Sequence, residues 1–208
     1  MTGYMQKLKD DKKKLILTVA HQEFVNNGVR KTSIKQIATS SGVAVGNIYH
    51  YFHNKNEIYC AVMQPTIKAL YKFIERYNGK KGLNIEFYSA EEYQQQMVDI
   101  LLNFVHKHKN ELRLLLFHST GTSLENFRET LIAKQAEYGE TYLEGMKKKY
   151  PHIINGISPL FLHFLCSMWV SMLSVLCMQE SLFDEKAISF LKEFIMYGTA
   201  GWKRLMQI

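Results

Sequence analysis

Residues 32–63 read TSIKQIATSSGVAVGNIYHYFHNKNEIYCAVM. Ser33 offers a helix N-cap, with Gln36 three residues on as its capping-box partner. Ile34, Ile37 and Ala38 then share the apolar face of a helix only about two turns long. Ser40-Ser41-Gly42 ends it, and Gly42 suits a turn that needs positive φ. A second short helix follows through Val45, Ile48, Tyr49 and Phe52; Asn54 can cap the next one, with Glu57 at its capping-box position. Ala38 is small enough for two helices to cross closely, Gly42 makes the bend, and Ile48 plugs the corner. Two helices joined by a short glycine-containing turn form a helix-turn-helix, whose second helix enters the DNA major groove. The same spacing also suits a helical corner with no nucleic-acid role, so the pattern alone leaves both readings open.

Upstream, Ile16, Val19, Ala20 and Phe24 repeat on one helix face, and Gly28 after Asn26-Asn27 is placed as a left-handed stop. The charge sharpens the picture. Of 26 Lys/Arg and 19 Asp/Glu, nine basic and three acidic residues fall in residues 1–55, so nearly all of the +7 surplus sits there. A basic module joined to a neutral body suggests a polyanion-binding end; a solubilising tail would carry the same charge. With 47% hydrophobic residues the chain can build a core, which excludes global disorder. Twelve Gly and three Pro are few for a turn-rich β fold. Cys60, Cys166 and Cys177 lack Cys-x-x-Cys spacing, which argues against a disulfide framework or a cysteine zinc module and for a reducing compartment. Lys7, Lys9, Asp10, Asp11 and Lys12 to Lys14 stand where a signal core would be, so a cytoplasmic location is expected.

The stretch from Thr32 to Met63, with LILTVAHQEFVNNGVRKTS before it, resembles the TetR family of bacterial transcriptional regulators. Ile37-Ala38, Gly42-Val43, Gly46, Ile48-Tyr49, Phe52 and Asn54-Lys55 carry the likeness, which covers about a quarter of the chain. The resemblance implies an all-α, homodimeric repressor with an N-terminal helix-turn-helix domain (1–55) and a helical effector-binding and dimerisation domain (56–208). It implies double-stranded DNA as partner and a recognition helix from Val45 to Tyr51. Ser33 and Lys35 would face the DNA from the preceding helix. Val45, Gly46 and Asn47 would form the leading edge, with His50 and Tyr51 beyond it. Tyr49 and Lys55 would contact phosphates. Asn47 suits an adenine edge, whereas Val45 departs from the polar or basic residue common there and can touch only a thymine methyl. Phe52 reads as packing.

The remaining sequence is helical. A helix from Asn54 to about Tyr77 contains Pro65, which predicts a kink, either a hinge or a static bend. Residues 78–88 read as a loop, and Ser89 with Glu92 caps the next helix, whose apolar face holds Met97, Ile100, Leu101, Phe104, Val105 and His108. A short helix is expected over Glu111 to Phe117, and a long one opening at Ser123 and ending at Lys147 to Lys149. Ser158-Pro159 starts a helix with no charged residue through Gln179, long enough to span a bilayer. It lacks flanking Lys or Arg, and His163, Ser167, Ser171 and Ser174 form a polar stripe, which favours a buried core helix over a membrane span. Asp184 caps the last helix, whose stripe carries Gly198 and Gly201 and invites close helix packing. On the family resemblance, the last two helices form the dimer interface.

No His-Glu-x-x-His, Gly-x-Ser-x-Gly or phosphate loop occurs, so no catalytic residue, metal or cofactor is assigned. His106 and His108 point about 200° apart on a helix and cannot share an ion there. Phe104, His108, His118, Met146, His163, Met168, Trp169 and Met172 are candidate effector-pocket residues, and each would equally serve as core. Two rivals remain at this level: an enzyme whose catalytic groups match no known motif, and a regulator anchored by residues 159–178.

Overall fold

The computed structural model describes residues 2–78, 91–152 and 156–207. Among these the chain forms eight helices and no strand: α1 (Thr2–Lys31), α2 (Ile34–Ser41), α3 (Val45–Tyr49), α4 (Lys55–Asn78), α5 (Glu91–Phe117), α6 (Phe127–Lys149), α7 (Pro159–Met178) and α8 (Glu185–Met206). The expected 78–88 loop and the Ser89 cap lie almost wholly outside the described residues.

Local chemistry sets several helix ends. Ser33 Oγ accepts from the Gln36 N–H at 3.2 Å, while the Ser33 N–H donates to Gln36 Oε1 at 2.7 Å, closing the capping box. Gly42 adopts φ 66°, ψ 14° and ends α2. The Ser158 and Asp184 side chains cap α7 and α8. Gly28 does take positive φ (74°), but with ψ 160° it is not left-handed helical, and the chain resumes its helix to Lys31. α1 also begins far upstream of Ile16. Residues 6–15 are exposed throughout, so no apolar periodicity marks them. Pro65 lies inside an unbroken α4. In α5 the expected break between two helices appears at His108 (φ −117°, ψ 15°).

The expected start of α6 moves. The long helix opens at Phe127, not Ser123. The Ser123 N–H and hydroxyl both bond to Asn56 Oδ1, at 2.8 and 3.2 Å, so Ser123 ties a turn to α4 instead of capping α6.

The chain divides into two compact units: residues 1–68 with 110–127, and residues 69–109 with 128–208. The first unit therefore draws in the start of α4 and the end of α5, beyond a cut at residue 55. Its core holds Ile16, Phe24, Ile37, Ile48, Tyr59, Met63 and Leu112. Phe24 meets Tyr59 edge-on at 5.5 Å, and the Tyr59 hydroxyl lies 3.2 Å from Ser119 Oγ. His21 Nε2 and Glu111 Oε1 approach to 2.6 Å. The second unit stacks Phe73 on Phe104 at 4.6 Å, and Arg128 Nη2 donates to Ser171 Oγ at 3.0 Å. The Lys109 ammonium donates to the Gln179 carbonyl.

α7 is less buried than a central core helix. Cys166, Val170, Leu173 and Cys177 face inward, but Leu160 (81% exposed), Phe164 (58%), Val175 and Met178 face outward. The hydroxyls of Ser167, Ser171 and Ser174 each donate to the carbonyl four residues back, so these three stripe residues place their protons within the helix itself.

Candidate nucleic-acid interface and ligand cavity

In the first unit, α2 and α3 cross as the spacing requires. Ala38 is buried at the crossing, and the Val43 N–H returns to the Ala38 carbonyl at 3.2 Å. Ile48, fully buried, pins α3 from within. That single anchor turns the rest of this short helix outward. Val45, Gly46, Asn47, Tyr49 and His50 are exposed, Tyr49 by 50%. A Cβ built on Gly46 would meet nothing within 4 Å, so the chain itself does not demand glycine there. The α-helical span ends at Tyr49, two residues short of expectation; the Tyr51 and Phe52 N–H groups close a final turn onto the Ile48 carbonyl. Tyr51 is half-buried, and Phe52, 4% exposed, packs inside as expected. Lys13 of the α1 extension stands 5.7 Å from the Phe52 ring centroid, which brings the basic N-terminal segment beside the end of α3.

On α2, Lys35 is exposed. Ser33 is exposed too, with its oxygen accepting in the capping box and its hydroxyl proton left to donate. Lys55, expected at a phosphate, is engaged within the chain. Its ammonium donates to the carbonyls of Val29 (2.6 Å), Thr32 (2.8 Å) and Arg30 (3.4 Å) at the end of α1. Three acceptors use the three ammonium protons, so Lys55 closes the end of a helix.

The second unit contains a cavity of about 430 Å³. Phe73, Ile74 and Tyr77 of α4, Met97 and Leu101 of α5, Gln135 and Gly139 of α6, and Leu162, Cys166, Met168 and Trp169 of α7 line it, with Phe194, Tyr197, Gly198 and Trp202 of α8. Of the candidate pocket residues it gathers Met168 and Trp169 only. Phe104 lies against Phe73, and His108 lies 4.9 Å from Phe104 at the α5 kink. His118 neighbours Phe117 in the first unit. Met146 is fully buried with Tyr142 and Met206, and Met172 is core. His163 is exposed on a shallow outer groove of α7. Nor do the two histidines of α5 converge: His106 packs edge-on to Phe183 at 5.2 Å.

Gln135 also lines the cavity, and its place in the sequence marks it. It falls on the α6 stripe Leu131, Gln135, Tyr142, Met146, where a polar residue is out of place. Its Oε1 is buried and has no hydrogen-bond partner among the described residues. Burial pushes the neighbouring Cys166 thiol up to about 11, so it stays neutral at neutral pH. Among the described residues nothing lies within 4 Å of a Cβ built on Gly198 or Gly201, so their packing there does not explain them.

Comparison with known proteins places the first unit. The family model described as bacterial regulatory proteins, tetR family, matches residues 16–62. An HTH-type transcriptional regulator of Staphylococcus aureus (strain MRSA252) is 29% identical over 111 residues, 53% of this chain and 57% of that relative. The match therefore spans little more than half the length of this relative. The "Probable HTH-type transcriptional regulator YttP" of Bacillus subtilis is 26% identical over 182 residues, covering 83% of this chain and 85% of that one. Among solved structures, a transcriptional regulator (TerR/AcrR family) from Aquifex aeolicus superposes with a TM-score of 0.59 at 19% identity, covering 92% of this chain and 99% of that one. SmeT, the repressor of a Stenotrophomonas maltophilia multidrug efflux pump, gives 0.61 at 14% identity, covering 91% and 89%. At such identities the structural likeness is one of fold.

Proposed function

We propose a function from one premise: the chain belongs to the TetR family of transcriptional regulators. The family and these relatives are transcriptional regulators, a non-enzymatic class. The protein is a cytoplasmic, sequence-specific DNA-binding repressor that holds an inverted-repeat operator as a homodimer and leaves it when a small molecule binds. The observation that carries this reading is the outward edge of α3, where Val45, Gly46, Asn47, Tyr49 and His50 are exposed around the buried Ile48. Asn47 pairs with an adenine edge, Tyr49 donates to a phosphate oxygen, and Ser33 and Lys35 hold the backbone from α2. Lys55 acts one step back, by fixing the end of α1 on which the head is built.

The dimer forms through α7 and α8. Leu160, Phe164, Val175 and Met178 on α7 and Met196 and Tyr197 on α8 are exposed apolar surface that a monomer leaves in water. A two-fold pair of heads then reads two half-sites one helical turn apart. This use of the outer face of α7 supports a soluble dimer over a membrane span, because the opposite face already packs into its own unit.

The cavity takes the effector. α4 links it to the head by covalent continuity: Phe73, Ile74 and Tyr77 line the cavity, while Ile58 and Tyr59 on the same helix are buried in the first unit. Release requires the effector to bind the DNA-incompetent state more tightly. Footprinting on the DNA upstream of the protein's own gene tests the reading. It should show a symmetric protected site with two chains bound. A site without symmetry, or one chain per site, would refute the dimeric operator.

A further inference from the structure

We propose that the ligand of the cavity is a neutral, lipophilic molecule carrying a hydroxyl or N–H group that donates to Gln135. The inference rests on the reading of this cavity as the effector site and says what chemistry enters it. Among the described residues the lining contains no Asp, Glu, Lys, Arg or His; its side chains are aliphatic and aromatic apart from a few neutral polar groups. An ion entering such a space loses its hydration and finds no counter-charge, which is the costly case for burial. A carboxylate ligand and an ammonium ligand are rejected alike. Cys166 does not supply a hidden anion, because its thiol stays protonated at neutral pH.

Gln135 then selects among neutral molecules. Among the described residues its Oε1 is a buried acceptor without a partner, which a ligand donor would satisfy. A hydroxyl serves the amide in either orientation, since it both donates and accepts. A plain hydrocarbon fills the volume but leaves the acceptor orphaned. At about 430 Å³ the cavity matches sites that hold small organic ligands.

The protein carries its own reporter. The sequence holds two tryptophans, Trp169 and Trp202, and both line the cavity. Tryptophan emission of the full-length chain is titrated with 1-octanol, octanoate, octylammonium and 1-chlorooctane at neutral pH. Octanol should give a saturable change, with octanoate and octylammonium at least about tenfold weaker. Gln135→Leu should weaken octanol by roughly three- to tenfold and leave 1-chlorooctane unchanged, which shows that the cavity of the variant is intact. Octanoate or octylammonium binding as tightly as octanol would overturn the neutral-ligand inference and leave the effector reading standing. Unchanged octanol affinity in Gln135→Leu would overturn the hydrogen bond. Failure of every probe to reach the tryptophans would overturn the inference and the effector reading together.

Discussion

Replacing Lys55 by Met separates two roles that one lysine could play. The Lys55 ammonium meets the Val29 and Thr32 carbonyls at 2.6 and 2.8 Å and the Arg30 carbonyl at 3.4 Å. These lie at the C-terminal end of α1, where helix carbonyls lack intrahelical partners and the helix dipole favours a cation. Hydrogen bonds from a charged donor contribute about 1.5–3 kcal/mol each. Two are short, and Lys55 is only half-buried, so solvent replaces part of the loss; the net cost of Lys55→Met is then about 2–3 kcal/mol. For a chain of this size that lowers Tm by about 4–12 °C. Circular dichroism melting gives the stability, and fluorescence anisotropy on operator DNA over a range of salt gives the electrostatic contact. Lys55→Met should drop Tm and leave the salt slope unchanged where the protein is folded. The exposed Lys35, replaced by Met, should do the reverse, with Tm unchanged and a slope smaller by about one per chain. A Lys55→Met protein with wild-type Tm and a reduced salt slope would refute the helix-closing role and restore the phosphate contact.

Asn47→Ala should weaken operator binding by about 1–3 kcal/mol while leaving random duplex unaffected, as competition anisotropy would reveal; equal losses on both would remove its base-reading role. Phe164→Glu, on the outward face of α7, should convert the dimer to a monomer in sedimentation while helix content holds; an intact dimer would move the interface elsewhere. Stability should be level up to about pH 9 and fall from there to about pH 12. The folded state holds the Cys166 proton (raised to about 11) and the Tyr59 proton (raised to about 12), both by burial, more tightly than the unfolded chain does. Urea midpoints should show Cys166→Ala flattening the lower part of this fall and Tyr59→Phe the upper part; identical profiles in all three proteins would contradict the assignment.

What the sequence disclosed follows the range of the forces involved. The Ser33–Gln36 box, the Asp184 cap and the Gly42 turn act over three or four residues, so composition and spacing reveal them. Lys55 could not be read this way, because its acceptors lie more than twenty residues earlier and meet it only in the folded head. Ser123 reads as a cap locally, yet its partner is Asn56, on another helix. The N-terminal turns of α1 were hidden for the opposite reason: with no buried face, they leave no periodicity. The cavity was the least legible part. Met146 and Met172 sit at the same helical spacing as Met168, and only packing decides that the first two are core while the third faces open space. Histidines drew attention as polar groups on apolar faces, but the polar residue that marks the cavity is Gln135, on the inward stripe of α6.

DNA binding is tested most plainly by the affinity of the purified chain for the duplex upstream of its own gene, taken by anisotropy over a series of salt concentrations. The protein should bind this duplex as a dimer and more tightly than random sequence, with log affinity falling steeply and linearly with log salt. A protein that ignores duplex DNA even at low ionic strength would contradict it.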